Sequence, residues 1–312
     1  MSELNELILL TTEQLGLQEP YVVEKDWHIT KAIEALMQVR DENFQLVFHG
    51  GTALAKAHKL IRRMSEDCDF RILYKNSKKL ENNKSQRGLL REYRQRLTDV
   101  LKDIGFITES DAVSVKNEGR FISIRMRYAS EYATPKSLKP FLAFEFNLAT
   151  LKMPTTDCQI TTLMQETFGE KLQHPIVQVS TMSIVETAAE KWVALTRRIT
   201  TKMEDDAYHT QALVRHLYDL YEMREHVDLQ DNTFSQLATQ IIEEDRQRYK
   251  SQHDGYYNAP RDVITASIHE LTNNPVWEQH WSDFIVTMVY GDAPSYKVAL
   301  SGLRAYTDAV LN

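Results

Sequence analysis

The stretch GGTALAKAHKLIRRMSEDCDF, residues 50–70, carries two glycines and a threonine at one end and two aspartates spaced D-x-D at the other. It is preceded by FQLVF (44–48), a short β-rich run that stops at His49-Gly50-Gly51. A strand that ends in Gly-Gly and turns directly into a helix presents unobstructed backbone N–H groups at the positive end of the helix dipole, which makes a phosphate cradle. Thr52 stands at the helix start, where its hydroxyl caps the helix or meets a phosphate oxygen. TALAKAHKLIRR (52–63), rich in Ala, Leu and Lys, reads as that helix. In the alternating run DCDFRILY (67–74), Asp67 and Asp69 share one strand face while Cys68 and Phe70 take the other. Carboxylates about 7 Å apart along a strand suit a hard divalent cation such as Mg²⁺ and are poorly buried without a partner. Alone, the glycines make a tight turn and the aspartates an exposed strand edge. Joined as strand, Gly-Gly-Thr, helix and D-x-D strand, they describe one site in which amides hold a triphosphate and carboxylates hold the metals that bridge it.

Outward from this stretch, apolar residues recur at three and four over Glu3–Leu15 and Tyr21–Val39, which predicts two helices. A charged helix is expected from about Lys84 to Ile104. FITESDAVSVK (106–116), RFISIRMRY (120–128) and PFLAFEFNLAT (140–150) read as strands, and HPIVQVSTMS (174–183) adds a short last one. Beyond Ser183 the pattern is helical to the end. Mixed strands and helices followed by helices alone predict an α+β domain over residues 1–180 and an α-helical domain over 181–312.

With 312 residues and 42% apolar content the chain is long enough for two such cores, and its 10 Gly and 8 Pro leave little room for long linkers. No run of about 18 apolar residues is present, and the N-terminal stretch carries acids where a signal peptide is basic, so a soluble, cytoplasmic protein is expected. Cys68 and Cys158 lack Cys or His neighbours at zinc spacing and read as small core residues. The net charge of −7 excludes a polycation that binds nucleic acid through overall charge. Charge is nevertheless uneven: Lys56 to Lys102 holds 14 Lys and Arg against 6 Asp and Glu. That segment is either a solvated helix face or a basic rim beside an anionic substrate.

GGTALAKAHKLIRRMSEDCDF resembles the G-G-[ST] … R-x-S-x-D-x-D-[FY] signature of the AbiEii/AbiGii toxin family of nucleotidyltransferases, within the polymerase-beta-like superfamily. PYVVEKDWHITKAIEAL resembles the family's N-terminal E-K-D-[YW] helix, and FEFNL (144–148) its strand with a third carboxylate. AAEKWVALTRR (188–198) and RHLYDLY (215–221) resemble its K-x-x-A-L…R and R-D-x-x-D-L segments. The resemblance covers roughly residues 15 to 225. One departure stands out: His216 follows Arg215 where the family usually has Asp.

The resemblance implies a polymerase-beta-like nucleotidyltransferase domain, a mixed sheet flanked by helices, followed by an α-helical domain. It implies transfer of an NMP from an NTP to a hydroxyl, with two Mg²⁺ ions, an RNA acceptor such as the 3′ end of tRNA, and a cognate antitoxin encoded nearby. Asp67, Asp69 and Glu145 would hold the metal, and Glu145, an acid between Phe144 and Phe146, would receive the proton of the attacking hydroxyl. Asn147 shares its face. Gly50, Gly51, Thr52 and Ser65 would bind the nucleotide, together with Lys191 and Arg198, or its neighbour Arg197. Lys191 would offset charge on leaving pyrophosphate and Asp219 would orient it, although Arg215 and Asp219 are also spaced as an ordinary i,i+4 surface pair. Glu24-Lys25-Asp26-Trp27 would line the cleft, or simply cap and decorate a helix with Trp27 packed inward. His49 reads as a strand-end residue, and Tyr256, Tyr257 and His280 as core rather than base-stacking groups. Two other functions compete: a D-x-D glycosyltransferase holding a nucleotide-sugar through Mn²⁺, and a nucleotide- or partner-binding protein that has lost catalysis.

Overall fold

The computed structural model describes residues 2–75, 83–135, 138–169, 176–200 and 207–312, and for 83–85, 110, 111 and 207–212 the backbone alone. Part of the basic segment, including Lys78 and Lys79, therefore lies outside the described residues, as does His174-Pro175 before the last expected strand. The chain folds into two compact units, Met1–Lys59 with Met64–Met182, and Leu60–Arg63 with Ser183–Asn312.

The first unit opens with α1 (Glu3–Gln14), capped by the Ser2 hydroxyl, and α2 (Pro20–Gln38), where Pro20 occupies the first turn and its missing N–H leaves no helix bond unmade. Its strands are β1 (Phe44–His49), β2 (Asp67–Tyr74), β3 (Ile107–Lys116), β4 (Phe121–Arg127), β5 (Leu142–Leu148), β6 (Thr156–Ile160) and β7 (Val177–Thr181). They form one mixed sheet in the order β3-β4-β5-β2-β1-β7-β6, with β2 parallel to β5 and β1 parallel to β7. The remaining pairs are antiparallel. Three helices complete the unit: α3 (Gly50–Lys56), α4 (Asn83–Asp103) and α5 (Leu163–Phe168).

Alternation sorts the strands into two faces. Phe48, Cys68, Phe70, Ile122, Ile124, Phe144 and Phe146 are buried in one core with Ile29, Ile33 and Leu36 of α2 and Leu90, Tyr93 and Leu97 of α4. Phe70 is the centre of this layer, 5.3 Å from the ring of Phe48 and 5.5 Å from that of Phe146. The opposite face of the same strands carries Asp67, Asp69, Glu145 and Asn147, all partly accessible.

Two features differ from the sequence pattern. The helix expected over 52–63 stops at Lys56; Lys59 takes a left-handed φ of 56°, and Arg63 forms an isolated antiparallel bridge with Val289. Helix propensity is overridden here by tertiary bonds: the Arg62 N–H is donated to the Tyr218 hydroxyl and its carbonyl accepts from Tyr290 N–H at 2.9 Å. Strand β6 and helix α5 carry no clear apolar period. TDCQI is a polar edge strand, mostly exposed and held by its ladder with β7. Cys68 is a core residue as expected, and Cys158 lies half-buried in β6.

The second unit is helical: α6 (Ile184–Arg198), α7 (Ala207–Met223), α8 (Thr233–Arg248), α9 (Asp254–Asn258), α10 (Pro260–Asn273), α11 (Val276–Met288) and α12 (Tyr296–Leu311). Its core is built on buried Trp192, Phe234 and Tyr306, with the Trp192 indole N–H donated to Thr307 Oγ1 at 3.2 Å. Tyr256 is buried, Tyr257 lies under the Lys250 ammonium at 4.5 Å, and His280 meets Trp277 edge-on at 5.9 Å. No helix among the described residues is long and apolar enough to cross a membrane.

Candidate active site

The turn from β1 into α3 is set by Gly50, whose φ of +79° is a backbone state that L side chains rarely adopt. The same glycine makes room for an acid. A Cβ built on Gly50 would lie 2.1 Å from Asp69 Oδ2 and 2.9 Å from its Cγ. Register explains the approach, since His49 pairs with Asp69 across β1 and β2, Asp69 with Glu145 across β2 and β5, and Glu145 with Ser123 across β5 and β4. Directly paired residues share a face, so His49, Asp69, Glu145 and Ser123 form one row, with Asp67 a pleat away opposite Ala143.

Glu145 feels this crowding. Burial, and then the charge of Asp67, push its carboxyl above the usual glutamate range, opposed by a hydrogen bond from Ser123 and by Lys139 and Lys116. Among the described residues no group of three or more His, Cys, Asp or Glu side chains is placed to hold a metal ion. An open set of acids on one strand face fits Mg²⁺, which is commonly held by one or two carboxylates with the remaining positions left to water and substrate phosphate. Asp67 and Asp69, with Glu145 beside them, are the residues that would hold it.

Thr52 and Ser65 serve the frame of this site. The Thr52 side chain is only 1% exposed; its hydroxyl donates to the Asp67 carbonyl and lies 2.8 Å from Ser65 Oγ. A buried hydroxyl needs such partners, and these pin α3 to the start of β2. Gly51 is buried in the first turn of α3.

Each charged residue of the Glu24-Lys25-Asp26 run is buried and ties α2 to a different segment. Glu24 accepts from Ser130 Oγ and from Glu131 N–H at 2.7 Å. Asp26 pairs with Lys56 of α3 and accepts from Leu163 N–H at 2.8 Å. Lys25 donates to Glu66 Oε1 at 2.5 Å and to the Lys139 carbonyl at 2.6 Å, and its burial lowers its pKa. Glu66 Oε1 also accepts from Lys139 N–H at 2.6 Å. The run thus braces the segments on either side of Asp67. Trp27 packs partly buried beside Ile8 and Val23.

In the helical unit, Asp219 is fully buried and clamped by Arg63, with Nε to Oδ1 and an Nη to Oδ2 both at 2.7 Å. Lys191 Nζ reaches Asp219 Oδ2 at 2.9 Å. Burial opposes ionisation of Asp219, but the two cations hold its carboxyl far below the usual aspartate range. Lys191 is therefore oriented by a fixed anion. His216, one turn earlier on α7, is kept neutral by burial and by Lys191, Arg198 and Arg63. Its Nδ1 finds no hydrogen-bond partner among the described residues. Arg198 lies half-buried two turns beyond Lys191 on α6. Arg197 pairs with Asp245 at 3.1 Å and stacks on Tyr249.

Part of the basic segment is paired within the protein: Lys56 with Asp26 and Arg63 with Asp219 are buried, Arg94 meets the Gly119 carbonyl, and Arg87 with Glu118 and Arg96 with Asp41 pair at the surface. Sequence reasoning passed over Arg63 and Lys139. Arg63 stood inside the R-x-S motif, and Lys139 had no signal at all.

The family model described as nucleotidyl transferase AbiEii toxin, type IV toxin–antitoxin system, matches residues 34–309. The chain belongs to the AbiEii family. The AbiEii match takes in the Gly-Gly turn, all three acids and nearly the whole helical unit, and leaves Glu24–Trp27 outside it. Among solved structures, the chain is similar to MenT4, a nucleotidyltransferase toxin from Mycobacterium tuberculosis H37Rv, at 17% identity over 97% of each chain with a TM-score of 0.48. No curated protein matches it.

Proposed function

We propose that this AbiEii protein moves a nucleoside monophosphate from an NTP to a hydroxyl at an RNA 3′ end, with tRNA as the acceptor class, and acts as the toxin of a cytoplasmic type IV toxin–antitoxin pair. The observation that carries the reading is the row of acids reached by the Gly50 turn, with Asp69 packed against that glycine and Glu145 in register beside it. Asp67, Asp69 and Glu145 would hold Mg²⁺, which when bound supplies charge neutralisation for the triphosphate and the departing pyrophosphate. Glu145, as the carboxylate and made more basic by its burial, takes the proton of the acceptor hydroxyl as the new oxygen–phosphorus bond forms and the α–β phosphoanhydride bond breaks. Lys191, aimed by Asp219, offsets charge developing on pyrophosphate.

The test is incubation of the protein with each labelled NTP, total tRNA and Mg²⁺, followed by gel separation of labelled RNA. Label in RNA that disappears on chelation and in Asp67→Ala supports the reading. Label retained by an Asp67→Ala, Asp69→Ala double variant, or wild-type protein that labels no RNA with any NTP, overturns it.

A further inference from the structure

Lys139 lies beside the acids on the sheet face, and its backbone is held at both its N–H and its carbonyl. Its N–H is donated to Glu66 Oε1 at 2.6 Å, and its carbonyl accepts from Lys25 Nζ at 2.6 Å and from the Tyr21 hydroxyl at 2.8 Å. Three bonds from two buried residues and a buried tyrosine therefore fix where the side chain starts. From there Nζ reaches Asp67 Oδ1 at 3.1 Å, with both side chains about a quarter exposed, at 25% and 29%. The ammonium also lies 6.0 Å from the centre of the Phe141 ring, which carries the Arg125 guanidinium 5.7 Å from the same centre. Nζ thus sits on Asp67 with the face of Phe141 beside it, an aromatic surface that an ammonium leaving the carboxylate can keep.

We propose that Lys139 is the resident counter-ion of Asp67, and that a divalent cation binds this site by displacing the ammonium from the carboxylate. The inference rests on the assignment of Asp67 as a metal-holding residue. An ammonium on Asp67 Oδ1 and a divalent cation on either oxygen of the same carboxylate would stand within a few ångströms of each other, and like charges that close repel strongly in a half-buried site. Lys139 lets the acids coexist on one face before metal arrives and sets a threshold that the metal must exceed. Its partial exposure lets it leave without stranding a buried charge, in contrast to fully buried Lys25. Once displaced it remains beside the acids, facing Phe141, available to an anionic substrate.

The probe is Mn²⁺ alone, with free ion counted by electron paramagnetic resonance, on the full chain without nucleotide. A partly exposed ion pair is worth up to about 1 kcal/mol, so Lys139→Met is expected to bind Mn²⁺ about five-fold more tightly than wild type. Lys139→Arg, which keeps the charge, is expected to stay within about two-fold of wild type. Lys139→Gln gives a second neutral side chain should the Met variant fold poorly; the backbone anchors survive in either. The rise in melting temperature on adding Mn²⁺ is expected to be larger in both neutral variants. Equal Mn²⁺ affinity in wild type, Lys139→Met and Lys139→Gln, with weakened binding in Asp67→Asn, overturns the role of Lys139 and leaves the metal assignment standing. Unweakened binding in Asp67→Asn removes the metal assignment and the inference with it.

Discussion

Gly50→Ala is the most discriminating single change in the sheet-bearing unit, because one added methyl acts on backbone and acid at once. The position has φ +79°, where an L side chain costs about 1–2 kcal/mol. The new Cβ would also meet Asp69 Oδ2 at 2.1 Å and Asp69 Cβ at 3.0 Å, whereas ordinary carbon contacts begin near 3.5 Å. The carboxylate must therefore move by at least about 1 Å, and overpacking of this kind adds roughly 1–3 kcal/mol. The expected destabilisation is about 2–5 kcal/mol, a fall in melting temperature on the order of 5–20 °C for a unit of this size. A 1 Å displacement of a reacting group costs about 10²-fold in rate, so transfer should fall by at least that factor even in the fraction that stays folded.

The assay is single-turnover incorporation of labelled NTP at a temperature well below both melting points, with thermal unfolding measured alongside. Gly88→Ala is the control: it makes the same chemical change inside α4 with nothing within 4 Å of the new methyl, so it should be neutral or slightly stabilising and leave the rate unchanged. A folded Gly50→Ala protein with a wild-type rate would show that the position of Asp69 does not matter to the chemistry. The two-carboxylate reading would then fail.

Asp67→Ala and Asp69→Ala should each abolish metal-dependent transfer while the fold, judged by circular dichroism, persists; near-wild-type transfer in either sinks the metal role. Lys191→Ala should lower the single-turnover rate by orders of magnitude with a smaller change in NTP affinity, and Lys191→Arg should recover little, since a planar fork does not replace a compact ammonium. Asp219→Ala leaves Arg63 and Lys191 buried without their anion and should destabilise the helical unit by about 3–5 kcal/mol in denaturant titrations. Because the folded pKa of Asp219 is depressed, its stabilisation is fully present above the ordinary carboxylate range and is lost as pH falls toward the folded value; the gap between wild type and Asp219→Asn should hold from about pH 5 to 8 and close in stronger acid. Glu145 is raised instead, so its ionised form weakens the fold as pH climbs past the usual glutamate range. Glu145→Gln should then melt higher than wild type at neutral pH while losing transfer, a difference that shrinks toward pH 4.

The legible parts of this chain were those where local chemistry and fold agree. Alternation in DCDFRILY put both aspartates on one face, and the apolar strand FEFNL announced Glu145 because its neighbours gave an acid no other reason to be there. The Gly-Gly turn pointed to a close approach, but not to the thing approached: sequence suggests phosphate at Gly51, and the register of β1 on β2 brings the Asp69 side chain against Gly50. Register is a property of pairing, which no single strand displays. Thr52 was read as a nucleotide ligand from its place at the helix start and Ser65 from the resemblance; the burial of Thr52 within α3 directs its hydroxyl to Ser65 and the Asp67 carbonyl instead, in a helix shorter than expected. That shortening was invisible because residues 57–63 keep good helix propensity and are held out of the helix by Tyr218, Tyr290 and Asp219, more than 150 positions away.

The buried charges give the deeper reason to treat these segments as functional. A buried ion pair is weak support for stability, since apolar residues of similar volume often replace one with no loss, and the depressed pKa of Lys25 shows that its burial outweighs its partners. What such pairs supply is fixed direction. Lys25 holds Glu66 and Lys139 on either side of Asp67, Asp26 holds the Lys56 end of α3, and Arg63 holds the Asp219 that aims Lys191. None of these residues needs to touch substrate to matter, since each fixes a segment or side chain that borders one proposed to. His216 sharpens the point: where the family usually carries an acid, this chain has a neutral ring, and Asp219 holds both Arg63 and Lys191. The Lys191 ammonium is then aimed by the Asp219 carboxylate. In this chain, loss of Asp219 should accordingly remove as much transfer activity as loss of Lys191 itself, because the anion that aims the ammonium goes with it.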